Sequence, residues 1–212
     1  MMEGRFFQIA AGAPTMKPKD TVYLAEIGEM LLHEEALEVY TETVQRLNER
    51  LEFHLAPASS KYHLAHPGGL MSHTVGVMAR LMLFDNLLGL HDEYNYLDMC
   101  VAALCHDAGK AGIIRAGKHV PYYKCLSLHP PKYEHNSDFL KMPVPIASLL
   151  FIATQLADIY SPTPEVFQAI FAHDGQYVPE NKSVQHGEAK LTLALHWADY
   201  YQCQLEQGRY RG

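Results

Sequence analysis

The chain has 212 residues, 48% of them hydrophobic and 19% charged, with a formal net charge of −7. This length and balance suit one compact soluble domain with a well-buried core, and no apolar run approaches the ~18 residues that cross a bilayer. The acidic excess lacks the clustered Lys and Arg of a general nucleic-acid binder, and four Cys without CxxC spacing read as reduced thiols of a cytoplasmic protein.

In chain order, residues 1–19 are expected to be irregular, punctuated by Gly12, Pro14 and Pro18, and they lack the apolar stretch of a secretion signal. Asp20 as N-cap opens a long predicted helix to about His54, with Leu24, Ile27, Leu31, Val39, Leu47 and Leu51 along its apolar stripe. Residues 56–69 read as a loop ending in Gly68-Gly69. A helix follows from Leu70 to Leu88, stopped by Gly89, and another from about Tyr94 to Ala108 with Gly109 at its end. Residues 111–142 read as a long loop with short helical pieces, broken by Pro121, Pro130 and Pro131. Loops of that length in compact domains usually form lids or binding segments. Pro143 and Pro145 open a helix to about Tyr160, and Thr163-Pro164-Glu165 caps and starts the next, ending near His173. The last helix covers about Glu188 to Gln207. Strand alternation is nearly absent, so the predicted fold is all-α.

The chain holds 13 His, and one doublet organises them: His106-Asp107, followed at once by Ala108-Gly109-Lys110. Adjacent His and Asp at a helix end can turn a neutral imidazole and a carboxylate toward one divalent cation, and both ligand types suit Zn, Mn, Fe or Co. Four single residues extend the set: His73 one turn into its helix, His135 in the long loop, His173 at a helix end and Asp199 in a helix. Asp199 interrupts an apolar and aromatic patch, where a buried carboxylate needs a cation or a donor to offset its desolvation. Taken singly, each has a plainer reading: a capping or surface His, or an Asp paired with an Arg. Lys110 fits equally a cation for a phosphate oxygen and a charge favoured at a helix C-terminus. His63 and His66, ahead of the Gly-Gly turn, can reach a phosphate or act as a general acid. Arg115, Lys118, His119 and Lys124 are candidate phosphate-binding residues of the long loop, with plain solvation as the alternative for each. Tyr122, Tyr123 and Tyr177 offer faces for a base, whereas His196, Trp197 and Tyr200 read as packing around Asp199.

From about residue 60 to 205 this order resembles the HD superfamily of metal-dependent phosphohydrolases. His73, His106-Asp107 and Asp199 stand at the four core positions, and His135 and His173 at the extra His positions of members that bind two metals. His66-Pro67-Gly68-Gly69-Leu70-Met71-Ser72-His73-Thr74 is similar to the PGGL-x-x-HT wording of a subset that includes HD-domain 3′–5′ exoribonucleases, and His106 to Lys110 matches HD-x-GK. The chain departs from that subset at His173-Asp174-Gly175, where His-His-Gly is usual.

The resemblance implies a single HD-type helical bundle over residues 20–212 with a central site for one or two divalent ions (Mn, Fe, Co, Zn or Mg). It implies hydrolysis of a nucleotide phosphoester or phosphoanhydride by a hydroxide generated at the metal. His73, His106, Asp107 and Asp199 would hold the first ion. His135 and His173 would complete a second, with Asp107 bridging. Asp107 and Lys110 are the expected catalytic residues, and His66, Lys110 and Arg115 the expected substrate contacts. The acidic charge favours a small-molecule nucleotide over nucleic acid, and no membrane partner is expected. An exonuclease-like phosphodiesterase on nucleic-acid ends or cyclic nucleotides, a silent HD-fold nucleotide sensor, and a helical protein with an accidental His-Asp pair are the rival readings.

Overall fold

The computed structural model describes residues 19–209, so the expectation for residues 1–18 lies outside the described residues. Helix α1 (Lys19–Leu31) and helix α2 (Glu34–Leu51) replace the single long helix expected from residue 20. His33 breaks the run in an extended conformation (φ −97°, ψ 148°), which folds α1 back so that the Tyr40 hydroxyl donates to the Leu24 carbonyl at 2.8 Å. Asp20 lies within α1 rather than capping it, where its buried carboxylate accepts from the Ser72 hydroxyl.

After a 3-10 turn at Phe53–Leu55 and an irregular stretch, helix α3 (Gly69–Leu88) begins. Gly68 enters with φ 78°, and a Cβ on Gly69 would stand 2.0 Å from the Leu64 carbonyl oxygen. Only glycine permits this approach, which swings the preceding loop across the helix start. Gly89 closes α3 in the left-handed conformation, as its sequence position suggests.

Helix α4 (Tyr96–Cys105) is capped by the Asn95 side chain, which accepts from the Asp98 backbone N–H, and ends in the His106-Asp107 turn and a 3-10 turn at Ala108–Lys110. Helix α5 (Val144–Phe151) continues into a wider π turn at Ile152–Leu156. Helix α6 (Pro164–Ala172) starts at Thr163, whose hydroxyl accepts from Val166 N–H, and helix α7 (Lys190–Glu206) closes the fold. One apolar cluster draws on each of these helices, with Leu70, Val77, Leu104, Ile170 and Leu195 fully buried within it.

The segment between α4 and α5 corrects the all-α expectation. In place of a loop with helical pieces, it forms two antiparallel hairpins: β1 (Ile113–Arg115) with β2 (Lys118–Val120), and β3 (Tyr123–Leu128) with β4 (Pro131–His135). The fold is therefore mixed, a helical core carrying β-structure, with 59% of the described residues helical. The first hairpin turns on Ala116-Gly117, both with positive φ (49° and 75°), the conformation that matches strand twist in a two-residue turn. Its strands are three residues long, too short to show an alternating pattern in the sequence. In the second, the register slips between Cys125 and Ser127, which breaks the period of two.

Candidate metal centre

Four helices deliver the candidate residues to one buried point: His73 from α3, His106-Asp107 from the end of α4, His173 from the end of α6 and Asp199 from α7. His73, His106, Asp107 and His173 are all at most 1% exposed. Each imidazole is held by its Nδ1 side. His106 Nδ1–H donates to the Ala103 carbonyl and His173 Nδ1–H to the Ile170 carbonyl, both at 2.8 Å. A carbonyl can only accept, so these bonds make Nδ1 the donor in each ring and aim each Nε2 inward. His73 Nδ1–H points at both oxygens of Glu206, each 3.1 Å away.

The inward atoms crowd together and leave three of their number without a hydrogen bond. His73 Nε2 stands 3.0 Å from Asp199 Oδ1 and 3.7 Å from Asp107 Oδ2. His106 Nε2 is 3.5 Å from Asp107 Oδ2, and His173 Nε2 is 3.5 Å from Asp107 Oδ1. His73 Nε2, His106 Nε2 and Asp107 Oδ1 are buried and make no hydrogen bond. Orphaned buried polar atoms are costly unless a further partner joins them. The donor atoms of His73, His106 and Asp199 lie within 4.8 Å of one another, as do those of His106, Asp107 and His173. Ligands sharing one first-row cation at ~2.1 Å stand ~3–4 Å apart, so both the spacing and the unsatisfied atoms fit a divalent metal.

The charges respond to this crowding. Burial opposes the His73 imidazolium, but Glu206 and Asp199 overcome it and raise its pKa to about 10. Burial likewise opposes protonated His173, and Asp107 and Asp174 raise it to about 9. His106, with burial dominant, is lowered to about 4 and stays neutral. For Asp107, burial is outweighed by Lys110 and the neighbouring imidazoles, which hold its carboxyl well below the usual range. Lys110 Nζ lies 2.5 Å from Asp107 Oδ2, and the two carboxylates Asp107 and Asp199 raise its pKa against burial. Two protons thus stand on imidazoles that face carboxylates, in places where a cation would neutralise the same charge.

The doublet is anchored from behind. The buried Ser148 hydroxyl of α5 donates to the His106 carbonyl at 3.0 Å and accepts from Gly109 N–H at 2.9 Å. A Cβ on Gly109 would meet the Val144 carbonyl at 2.4 Å, so glycine after the doublet is a packing requirement of α5.

Three expected site residues are not brought into this centre. His135 sits exposed at the end of β4, its ring 5.0 Å from that of Tyr122, and it joins none of the close His/Cys/Asp/Glu groups among the described residues. His66 Nδ1 bonds the Pro67 carbonyl within its own loop. Arg115 lies exposed at the tip of the first hairpin, opposite Lys118. His119 has its Nε2 on the Ala111 carbonyl at 3.0 Å.

Conversely, Glu206 and Cys203 join the centre, with Cys203 Sγ 3.5 Å from Asp199 Oδ1 and His63 Nε2 3.8 Å from Glu206 Oε2. Their signal was in the sequence: positions 199, 203 and 206 follow one helical face, which singles out residues four and seven beyond Asp199. The arrangement is that of a helix-rich protein with a buried His–Asp cluster able to hold a metal ion. No protein-family model, curated protein or solved structure matches the chain. Among the described residues, no helix is long and apolar enough to cross a membrane.

Proposed function

We propose that the chain is a metal-dependent phosphohydrolase of the HD type, acting on a nucleotide phosphoester or phosphoanhydride. The observation that carries this reading is the convergence of unsatisfied His73 Nε2, His106 Nε2 and Asp107 Oδ1 in one buried cluster. His73, His106, Asp107, His173 and Asp199 would hold one or two ions from the set Mn, Fe, Co, Zn and Mg. A divalent cation held there would supply polarisation of a phosphoryl oxygen and activation of a water near neutral pH.

The chain's own residues supply the remainder. Glu206 fixes the His73 tautomer and strengthens it as a donor. Lys110 holds Asp107 in place and, with its side chain 21% exposed, can present an N–H to a non-bridging phosphate oxygen. Hydrolysis is tested by phosphate release from ribo- and deoxyribonucleotides, cyclic nucleotides and short oligonucleotides with Mn, Co, Mg or Zn, using Asp107→Ala as control. Turnover equal in the variant and the parent would end the proposal.

A second reading, phosphodiesterase action on nucleic-acid ends, is favoured by the charge of the hairpins. Residues 111–141 carry Arg115, Lys118, Lys124, Lys132 and Lys141 against Glu134 and Asp138, in a chain of net charge −7. Of these, Lys141 lines a cleft of about 510 Å³ together with Tyr122 and His135. Oligonucleotides turned over in preference to mononucleotides in the same assay would select it.

A further inference from the structure

A second cleft, of about 590 Å³, opens between the end of α6 and the outward flank of α7. It is contiguous with the cluster through Asp174, whose carboxylate lies 3.7 Å from His173 Nε2 and shares a close group with His173 and Asp199. Helix α7 serves both sites with adjacent faces: Asp199, Cys203 and Glu206 toward the cluster, His196, Trp197 and Tyr200 toward the cleft. His196 Nδ1–H donates to the His173 carbonyl at 2.8 Å, which ties the cleft wall to a candidate ligand's backbone.

The lining selects a chemistry. Trp197 and Tyr200 stand 45% and 55% exposed, and Tyr177 90%. The Trp197 indole is braced edge-on by Phe84, with ring centroids 6.2 Å apart. Among the described residues no Lys or Arg lines the cleft, while Asp174 and Glu188 do. Such a wall repels phosphate and accepts a flat ring bearing N–H and O–H donors, and its volume falls in the usual range for small ligands.

We propose that this cleft takes the nucleoside end of a nucleotide, with base against Trp197 and Tyr200 and sugar hydroxyls toward the carboxylates, while its phosphate lies at the His–Asp cluster. Only the phosphate half rests on the hydrolase reading. The two ends of the substrate are thus sorted by charge, with donors on the acidic flank and the anion toward Lys110.

Trp197 is the chain's one tryptophan, so its fluorescence reports this cleft alone. The full chain is titrated, with chelator and separately with Mn, using four nucleosides, their 5′-monophosphates, ribose 5-phosphate and inorganic phosphate. The expected result is saturable quenching by at least one nucleoside and its monophosphate, none by ribose 5-phosphate or phosphate, and about tenfold weaker binding in Tyr200→Ala, within the range for loss of one stacking ring. Tyr200→Phe, which keeps the ring, should retain the affinity. No quenching by any nucleoside, or equal quenching by ribose 5-phosphate, overturns the proposal even if the chain hydrolyses nucleotides. Quenching without turnover on any substrate leaves the cleft assigned and removes the hydrolase reading.

Discussion

The substitution Glu206→Gln tests whether His73 serves as a metal ligand held from behind. The carboxylate stands 3.1 Å from His73 Nδ1, with its side chain only 6% exposed. A full charge pair at that distance is worth at most about 5 kcal/mol at an effective dielectric near 20. A metal-bound imidazole is neutral, so the relevant loss is smaller: about 10–100-fold in metal affinity, or ~1.4–2.7 kcal/mol. The introduced amide would still offer an oxygen to Nδ1–H, so the fold should survive. Calorimetric titration with Mn or Zn in buffers of different ionisation enthalpy reads affinity and proton release together. At pH 7 the parent holds protons on His73, with pKa about 10, and His173, with pKa about 9, so binding should release about two. The variant should release fewer, because His73 loses its largest charge support. Equal affinity and equal proton release in both proteins would refute the argument, leaving Glu206 no part in tuning His73 as a ligand.

The metal-free protein should be most stable near pH 6.5. His73 and His173 have raised pKa values, so their contribution is complete below about 6.5 and is lost as pH rises through 9 to 10; His106 is lowered to about 4, so its contribution is lost as pH falls from 6.5 toward 4. Thermal melts in chelator from pH 4 to 10 should trace that dome, and a monotonic rise to pH 10 would contradict it. Ser148→Ala leaves the His106 carbonyl and Gly109 N–H without their buried partner, and denaturant unfolding should show a loss of about 1–3 kcal/mol. His106→Ala should abolish metal content measured after purification, whereas His135→Ala and Arg115→Ala should leave it unchanged; loss on removing His135 would restore it as a ligand.

The local chemistry of the chain was legible where neighbours in sequence govern it. Thr163-Pro164 starts α6, Gly89 ends α3, and the His106-Asp107 turn closes α4, because caps and breakers act over one helical turn. Among the candidate ligands, His73, His106, Asp107, His135, His173 and Asp199 were singled out by residue type together with the order that resembles the HD superfamily, and the structure gathers five of the six. What spacing cannot carry is direction in space. His135 has a suitable side chain but ends a hairpin that stands off the centre, while Glu206 and Cys203 enter it because α7 lies against α3. The break at His33 and the two hairpins also escaped the sequence pattern. One depends on Tyr40 reaching across to α1, a contact between helices, and the others on strands that are too short or too irregular to show a period. Residue types and their local order were enough to say which side chains can bind a metal and where most helices begin and end. Which of those side chains meet was settled by the packing of α3, α4, α6 and α7, since burying these helices against one another forces their polar atoms toward one shared point.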